Sequence, residues 1–213
     1  MSPTALVICG GGRVRRDLPL DGDAARVIAA DGGVAEALRL GLTVDVLVGD
    51  MDSAAPVDAE RILAAGGEVE RHDPDKDATD LELAVGRAVS DGATRVVVAG
   101  GDGGRLDHLL GNLTLLAAPR WASIQIDAVF GAALLHVIRD TREMTGEPGE
   151  LVSLFALGGP ATGVTTSGLR WALADATLVP GDSLGVSNEF TDTRASVRVG
   201  HGAVVAVRPG VEP

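Results

Sequence analysis

Arg95-Val96-Val97-Val98-Ala99-Gly100-Gly101-Asp102-Gly103-Gly104-Arg105-Leu106-Asp107-His108 passes from an unbroken apolar run, through a glycine-rich turn, into a helical pattern. The run lacks polar alternation, as fits a strand covered on both faces. After the turn, Leu106, Leu109, Leu110, Leu113 and Leu116 follow i, i+3, i+4, i+7 spacing, which predicts a helix over 106–117 with a leucine face. Working outward, strand-like runs at 5–9, 26–30, 45–48, 68–71, 95–99 and 123–129 alternate with helical patterns at 34–40, 57–65 and 81–90. That alternation predicts an α/β domain over residues 1–129, built on a doubly wound, mostly parallel sheet. Beyond about residue 130 the rhythm changes. Short runs at 134–138, 151–156, 162–166, 176–178, 195–199 and 203–207 are separated by glycine-containing turns such as Glu147-Pro148-Gly149 and Pro180-Gly181-Asp182. They predict an all-β sandwich domain over 130–213.

Composition narrows the function. A hydrophobic content of 46% supports a core and argues against disorder. The chain has no Tyr, three Phe and two Trp, so platforms for base stacking are scarce. Its formal charge of −12 repels polyanions. A nucleic-acid partner is therefore not expected, whereas cations are welcome. The single cysteine, Cys9, lies in an apolar run and reads as an inert buried thiol. With no signal-peptide pattern and no apolar run of membrane-spanning length, the expectation is a cytoplasmic protein without a membrane partner.

In open α/β sheets, ligands bind beyond the carboxyl ends of the strands. Four predicted strand ends deliver carboxylates there: Ala30-Asp31-Gly32-Gly33, Gly49-Asp50-Met51-Asp52-Ser53, the stretch Asp73-Pro74-Asp75-Lys76-Asp77-Ala78-Thr79-Asp80, and the loop carrying Asp102. Asp50 and Asp52, two apart, point the same way if the backbone is extended, and can offer two oxygens to one hard cation. A turn in which Asp caps its own backbone explains the same spacing. With Asp31 and Asp80 on the same rim, a metal site is favoured.

Lys76 is the only lysine; arginine fills every other basic position except the histidines. A compact ammonium on a flexible stem differs from a planar guanidinium, so sparing one lysine inside the densest charge cluster suggests a site need. Chance is the competing explanation. Thr79 and Glu82 have the spacing of a capping box, which makes Asp80 the first helical residue. A carboxylate there suits the helix dipole, and it also suits metal binding or the orientation of a hydroxyl. The glycines of 100–104 allow backbone N–H groups to approach a phosphate. Arg105, His108 and Asn112 fall along one stripe of the following helix, while Asp107 is expected to point away and cap it. His72, His136 and His201 have no partners in sequence and read as structural or surface. Ser187 and Asn188 offer hydrogen bonds suited to a heteroaromatic ring, and equally suit a turn between strands.

Taken in order, Ala30–Gly33, Gly49–Ser53, 75–80, Gly103-Gly104-Arg105-Leu106-Asp107-His108 with Asn112, Gly168-Leu169-Arg170-Trp171 and Ser187-Asn188-Glu189-Phe190 resemble the thiamine pyrophosphokinase family. The resemblance spans nearly the whole chain. It implies an α/β catalytic domain, a β-sandwich thiamine-binding domain, and a homodimer with active sites between subunits. It implies transfer of a diphosphoryl group from ATP to the thiamine hydroxyl, leaving AMP. Carried over, Asp31, Asp50, Asp52 and Asp80 are the acidic residues of a Mg²⁺–ATP site. Lys76, Thr79, Arg105 and Asp107 line the nucleotide and phosphate region, with Asp75, Asp77, His108 and Asn112 beside them. Ser187 and Asn188 meet thiamine. One departure is Asp102, where the family commonly has a small or hydroxyl residue, because a carboxylate so close to phosphates repels them. Trp171 stands where the family often has an aromatic and is expected to pack inside the sandwich. Two alternatives remain: a pyrophosphokinase for another heteroaromatic alcohol of the hydroxymethylpterin type, and a non-catalytic thiamine or nucleotide sensor.

Overall fold

Val96–Ala99 and Ala5–Ile8 contain no residue more than 1% exposed. Successive strand residues point to opposite faces, so both faces of these strands are covered. The computed structural model describes residues 3–20 and 24–210. In chain order the first unit contains β1 (Thr4–Cys9), β2 (Arg26–Ala30), α1 (Gly33–Leu40), β3 (Val46–Gly49), α2 (Pro56–Ala64), β4 (Glu68–Arg71), α3 (Asp80–Ser90), β5 (Arg95–Ala99), α4 (Leu106–Leu116) and β6 (Gln125–Phe130). Its sheet runs β6-β5-β1-β2-β3-β4. The pairs β5–β1, β1–β2, β2–β3 and β3–β4 are all parallel. The chain winds from β1 toward β4 and then returns to β1's other side for β5. The strand order therefore reverses beside β1, where open α/β sheets form their ligand crevice.

Local chemistry explains the element ends. Thr79 caps α3, its hydroxyl accepting from the Glu82 amide at 3.2 Å. Pro56 opens α2 at the first turn, where a missing amide hydrogen costs nothing. Gly41 closes α1 in the left-handed region, with φ of 80°. Gly33 has no room for a side chain, since a Cβ there would lie 2.0 Å from the Ile8 carbonyl oxygen. This closeness seats α1 directly against β1.

The outermost strand, β4, reads Glu68-Val69-Glu70-Arg71 and is half exposed. Arg87 of α3 reaches Glu68, Glu70 and Asp91, and Arg26 of β2 joins Glu68 to Asp91. Elsewhere in the sheet Asp127, fully buried on β6, is held by Arg95 at 2.8 Å. Among the described residues no helix is long and apolar enough to cross a membrane.

The second unit is antiparallel: β7 (Ala133–Ile138), β8 (Thr141–Thr145), β9 (Leu151–Ala156), β10 (Ala161–Ser167), β11 (Ala176–Leu178), β12 (Asn188–Glu189), β13 (Arg194–Arg198) and β14 (Val204–Arg208). They form two sheets, β12-β9-β14-β7 and β11-β10-β13-β8. Ile138, Val152, Leu154, Val204 and Ala206 of the first sheet share one core with Met144, Val164, Leu178, Ala195 and Val197 of the second. By packing, Leu113–Gln125, which include the last turn of α4 and the first residue of β6, cluster with this unit, and Ile126–Gly131 with the first.

The leucine face predicted for α4 is largely open in the chain: Leu106 is 70% exposed and Leu110 55%, and only Leu116 of this helix is buried. One expectation is corrected: Trp171 does not pack inside the second unit. It is 52% exposed, with the Arg170 guanidinium 4.8 Å from its ring centroid.

Gly33→Ala is expected to lose more than about 3 kcal/mol of stability, or not to fold, in chemical denaturation. The charged lattice on β4 makes a separate prediction about pH. Arg87 and Arg26 hold Glu68 below its ordinary value. Burial raises Glu70 and Asp91, but hydrogen bonds from Arg87 outweigh it and hold both low. Their contribution is complete above the ordinary values of 4.5 and 3.8 and is lost as pH falls through the lower folded values. Stability measured from pH 6 to pH 3, taken as a roughly accessible window, should fall less steeply in Arg87→Met than in the wild type.

Candidate active site

The carboxyl ends of β1, β2, β3 and β5 open into one cavity of about 840 Å³, lined entirely by residues of the first unit. Each wall is set by a backbone turn. At the end of β2, Asp31 adopts φ of 42° and donates its amide to the Val48 carbonyl at 2.8 Å. At the end of β3, Met51 adopts φ of 67°. Left-handed backbone at residues other than glycine costs about 1–3 kcal/mol each and clusters at functional sites. Asp50 and Asp52 are therefore not in the extended arrangement that their spacing suggested. The backbone reverses at Met51, and the Asp52 amide donates to Asp50 Oδ1 at 3.2 Å. The self-capping turn and the convergence of carboxylates are both present.

Asp31, Asp50 and Asp52 each direct a carboxylate oxygen so that all three lie within 4.8 Å of one another. Asp31 is buried and Asp52 exposed. Gly49, with φ of 148°, makes this crowding possible. A Cβ there would sit 3.0 Å from both Asp31 Cβ and Asp80 Oδ1. Lys76 closes the group from the other side. Its Nζ lies 2.6 Å from Asp50 Oδ2 and 3.2 Å from Asp80 Oδ1. The second contact is an ion pair without hydrogen-bond geometry, so the buried Asp80 Oδ1 has no hydrogen-bond partner.

These surroundings push two carboxyl groups apart. The Lys76 ammonium holds Asp50 below the usual carboxylate range, helped by the Asp52 amide. Burial raises Asp80, and the neighbouring charges of Asp50 and Asp31 raise it further against the pull of Lys76. Burial alone lowers Lys76, yet its hydrogen bond to Asp50 and its ion pair with Asp80 more than reverse that. Cys9, also on the cavity wall, is pushed up to about 12, by burial first and then by Asp80. Its thiol stays protonated, so it is no nucleophile.

The far wall is made of two glycine loops, one of which sequence reasoning passed over. Gly10 and Gly11 follow β1, and Gly101 and Gly103 follow β5. A Cβ on Gly103 would lie 1.6 Å from the Gly11 carbonyl oxygen, so the loops touch backbone to backbone. The signal was present: β1 ends in Gly10-Gly11-Gly12, at the reversal of strand order. Asn112 of α4 donates to the Gly101 carbonyl at 2.9 Å and ties the helix to this loop. Arg105, His108 and Asn112 all line the cavity, as their stripe implied. Asp107 lines it too, rather than pointing away. Arg105 pairs with it at 2.6 Å and holds its carboxyl down to about 2. Thr79 is on the wall, whereas Asp75 and Asp77 are exposed residues outside the lining. Asp102 also lies outside the lining. Its Oδ1, buried and without a hydrogen bond, would be 2.6 Å from a Cβ on Gly12, so the extra carboxylate is tucked beneath that glycine.

In the second unit, Gly168–Trp171 and Asn188–Phe190 are neighbours. Leu169 and Phe190 form an antiparallel bridge, and Arg170 pairs with Glu189 at 3.0 Å. Asn188 is 1% exposed. Its Oδ1 accepts from the Trp171 amide at 3.0 Å and the Glu189 amide at 2.9 Å, and its Nδ2 donates to the Trp171 carbonyl at 2.8 Å. Ser187 is exposed, has φ of 57°, and donates its amide to Ser153 Oγ at 3.0 Å.

Comparison with known proteins follows this layout. The family model described as "Thiamin pyrophosphokinase, catalytic domain" matches residues 20–128. A second, "Thiamin pyrophosphokinase, vitamin B1 binding domain", matches residues 135–204. The chain belongs to the thiamin pyrophosphokinase family. It is 29% identical over 204 residues to thiamine pyrophosphokinase 1 of Oryza sativa subsp. japonica, covering 83% of this chain and 76% of that one. It is 25% identical over 189 residues to thiamine pyrophosphokinase of Bacillus subtilis, covering 85% and 86%. The solved structure of thiamin pyrophosphokinase from Geobacillus thermodenitrificans superposes with a TM-score of 0.77 at 26% identity, covering 98% of each chain. The Bacillus subtilis structure shares the fold, with a TM-score of 0.81 at 24% identity over 98% of this chain and 100% of that one.

Within this family member, Asn188→Ala removes three hydrogen bonds from a buried position. It is expected to cost about 2–4 kcal/mol in thermal or chemical denaturation.

Proposed function

We propose that the chain transfers the diphosphoryl group of ATP to the hydroxyl of thiamine, giving thiamine diphosphate and AMP. The observation that carries this reading is the convergence of Asp31, Asp50, Asp52, Lys76 and Asp80 on one cavity that two glycine loops also line. Such loops suit phosphates, which approach backbone N–H groups closely. Membership of the family supports thiamine as acceptor, and the second matched stretch supports a vitamin-binding role for the β unit. We read residues 1–129 as the catalytic domain and 130–213 as a thiamine-binding β-sandwich, with the exposed Ser187 on the thiamine side; Asn188, expected to meet thiamine, is buried and spends its hydrogen bonds on the backbone of Trp171 and Glu189, so it holds the turn instead.

A divalent cation fits the acidic trio. The donors are hard carboxylate oxygens, and a buried oxygen of Asp80 stands beside them without a hydrogen bond. Asp31, Asp50 and Asp52 would hold it, with Asp80 adjoining, and Mg²⁺ is the ion this chemistry suits. When bound, such an ion neutralises phosphate charge and orients the transferring group. The remaining work belongs to the chain. Attack by the thiamine oxygen at the β-phosphorus forms one O–P bond and breaks the α–β bridge, releasing AMP. Lys76 and Arg105 stabilise charge around that bridge, in a reaction that rests mostly on positioning and electrostatics. Asp80, raised by burial, is suited to orient the hydroxyl and accept its proton. The acidic rim also favours the thiazolium cation. The exposed Leu106 and Leu110 of α4 support a homodimer, in which a second copy covers them. A cytoplasmic location accords with the single unpaired cysteine.

Incubation of purified protein with Mg²⁺, ATP and thiamine should yield AMP and thiamine diphosphate in equal amounts. ADP with thiamine monophosphate would instead mean attack at the other phosphorus. Product from a pterin alcohol alone would change the acceptor, and binding without turnover would make the protein a sensor. Asp80→Asn should lower kcat about 100-fold or more with an unchanged circular dichroism spectrum. Lys76→Arg should also impair turnover, because a planar fork replaces the ammonium set between Asp50 and Asp80.

A further inference from the structure

We propose that Lys76 is the built-in counter-cation of this site: its ammonium and a divalent cation compete for Asp50, so that cation binding releases Lys76 toward the substrate phosphates. The inference rests on the reading that Asp31, Asp50 and Asp52 hold the cation.

Three features of the geometry carry it. First, Asp50 is shared. It belongs to the trio of carboxylates within 4.8 Å of one another, and its Oδ2 is also the closest partner of Lys76, at 2.6 Å. Its other oxygen accepts from the Asp52 amide. An ion held by the trio and the ammonium would thus lie on one carboxylate. Second, screening is weak. The Lys76 and Asp50 side chains are 14% and 13% exposed. Two positive charges a few ångströms apart repel strongly even at an effective dielectric constant of about 20. Third, Lys76 can leave. It lies four residues before its partner Asp80, in the segment leading to α3 rather than within that helix. Its flexible stem makes no demand for bidentate geometry, unlike an arginine. Arg105, the other cation on the cavity wall, is 66% exposed and paired with Asp107 rather than with Asp50.

The exchange would link two events that diphosphoryl transfer needs together. Cation binding removes negative charge from the rim, and the same event frees a positive charge beside the cavity's glycine wall. Lys76 then acts as a ligand of phosphate only when a cation is in place.

Mn²⁺ titration of the substrate-free protein tests this by calorimetry or electron paramagnetic resonance. Lys76→Met should bind Mn²⁺ about tenfold tighter or more than the wild type, since one competing charge is gone. Asp52→Asn, which keeps Lys76, should bind it more weakly. A second measurement needs no variant at all. Because Lys76 is the only lysine, acetylation by an amine-reactive ester, read on its peptide by mass spectrometry, reports on this side chain alone. Its rate should rise as Mn²⁺ saturates the protein. The exchange is overturned if Lys76→Met binds Mn²⁺ no tighter than the wild type, or if saturating Mn²⁺ leaves Lys76 acetylation unchanged. If Asp52→Asn still weakens binding in that case, the cation site itself survives. If Asp52→Asn binds Mn²⁺ as well as the wild type, the cation reading fails and the exchange falls with it.

Discussion

Carboxylates crowded within 5 Å raise one another's energy, and the rim of this sheet holds three of them that close, with a fourth beside them. Local hydrogen bonds from the Asp52 and Ser53 amides to Asp50 and Asp31 offset only part of that cost in the arrangement. It requires left-handed backbone at Asp31 and Met51 and the missing side chain of Gly49. The core of the sheet supplies the restraint. Ile28, Ala29, Val46, Leu47 and Val48, immediately upstream, are wholly buried, so the strand ends cannot drift apart to relieve the repulsion. Lys76 supplies the charge. A rigid rim that demands positive charge is thus a direct product of apolar strands ending in aspartates.

The same crowding divides labour between groups of one chemical type. Asp50, in contact with the ammonium, is held low, while Asp80, partly desolvated and facing two like charges, is raised. Environments that separate paired acids in this way suit them to different tasks. In the second unit, neighbouring residues also part ways. Asn188 has its hydrogen-bonding capacity committed to the backbone of Trp171 and Glu189, whereas Ser187 stays at the surface.

Much of this was legible in the chain. The helices at 33–40, 56–64, 80–90 and 106–116 follow the spacing of their apolar residues, and Thr79 caps α3 as its partner Glu82 implied. The carboxylates lie at strand ends because topology puts them there. Other features escaped for physical reasons. Thr141–Thr145 forms a strand although only Met144 is buried, because its neighbour β13 supplies the pairing that its own sequence does not advertise. Asn188–Glu189 is too short to show a period. The leucines of α4 carry a faithful helical pattern, but a pattern reports amphipathicity and not what covers the apolar face. Asp107 was assigned by its position on an ideal helix, while its ion pair with Arg105 decides where it points. The Gly10–Gly12 turn was overlooked because glycine bears no chemistry of its own, and its contribution is the approach it permits.

The charged lattice on β4 has a bearing beyond stability. This strand ends the sheet of the first unit, and an end strand offers unpaired backbone groups to any passing β-segment. Its sequence, Glu68-Val69-Glu70-Arg71, keeps acidic groups along that border, clasped by Arg87 and Arg26. A foreign strand adding there would have to strip water from these charges or break their pairs. The border guards a sheet whose inner strands, exposed during synthesis, would be adhesive: Val96-Val97-Val98 is a short β-branched segment without charge. The arginines that pair with the glutamates of β4 thereby also raise the cost of extending the sheet with a neighbouring molecule.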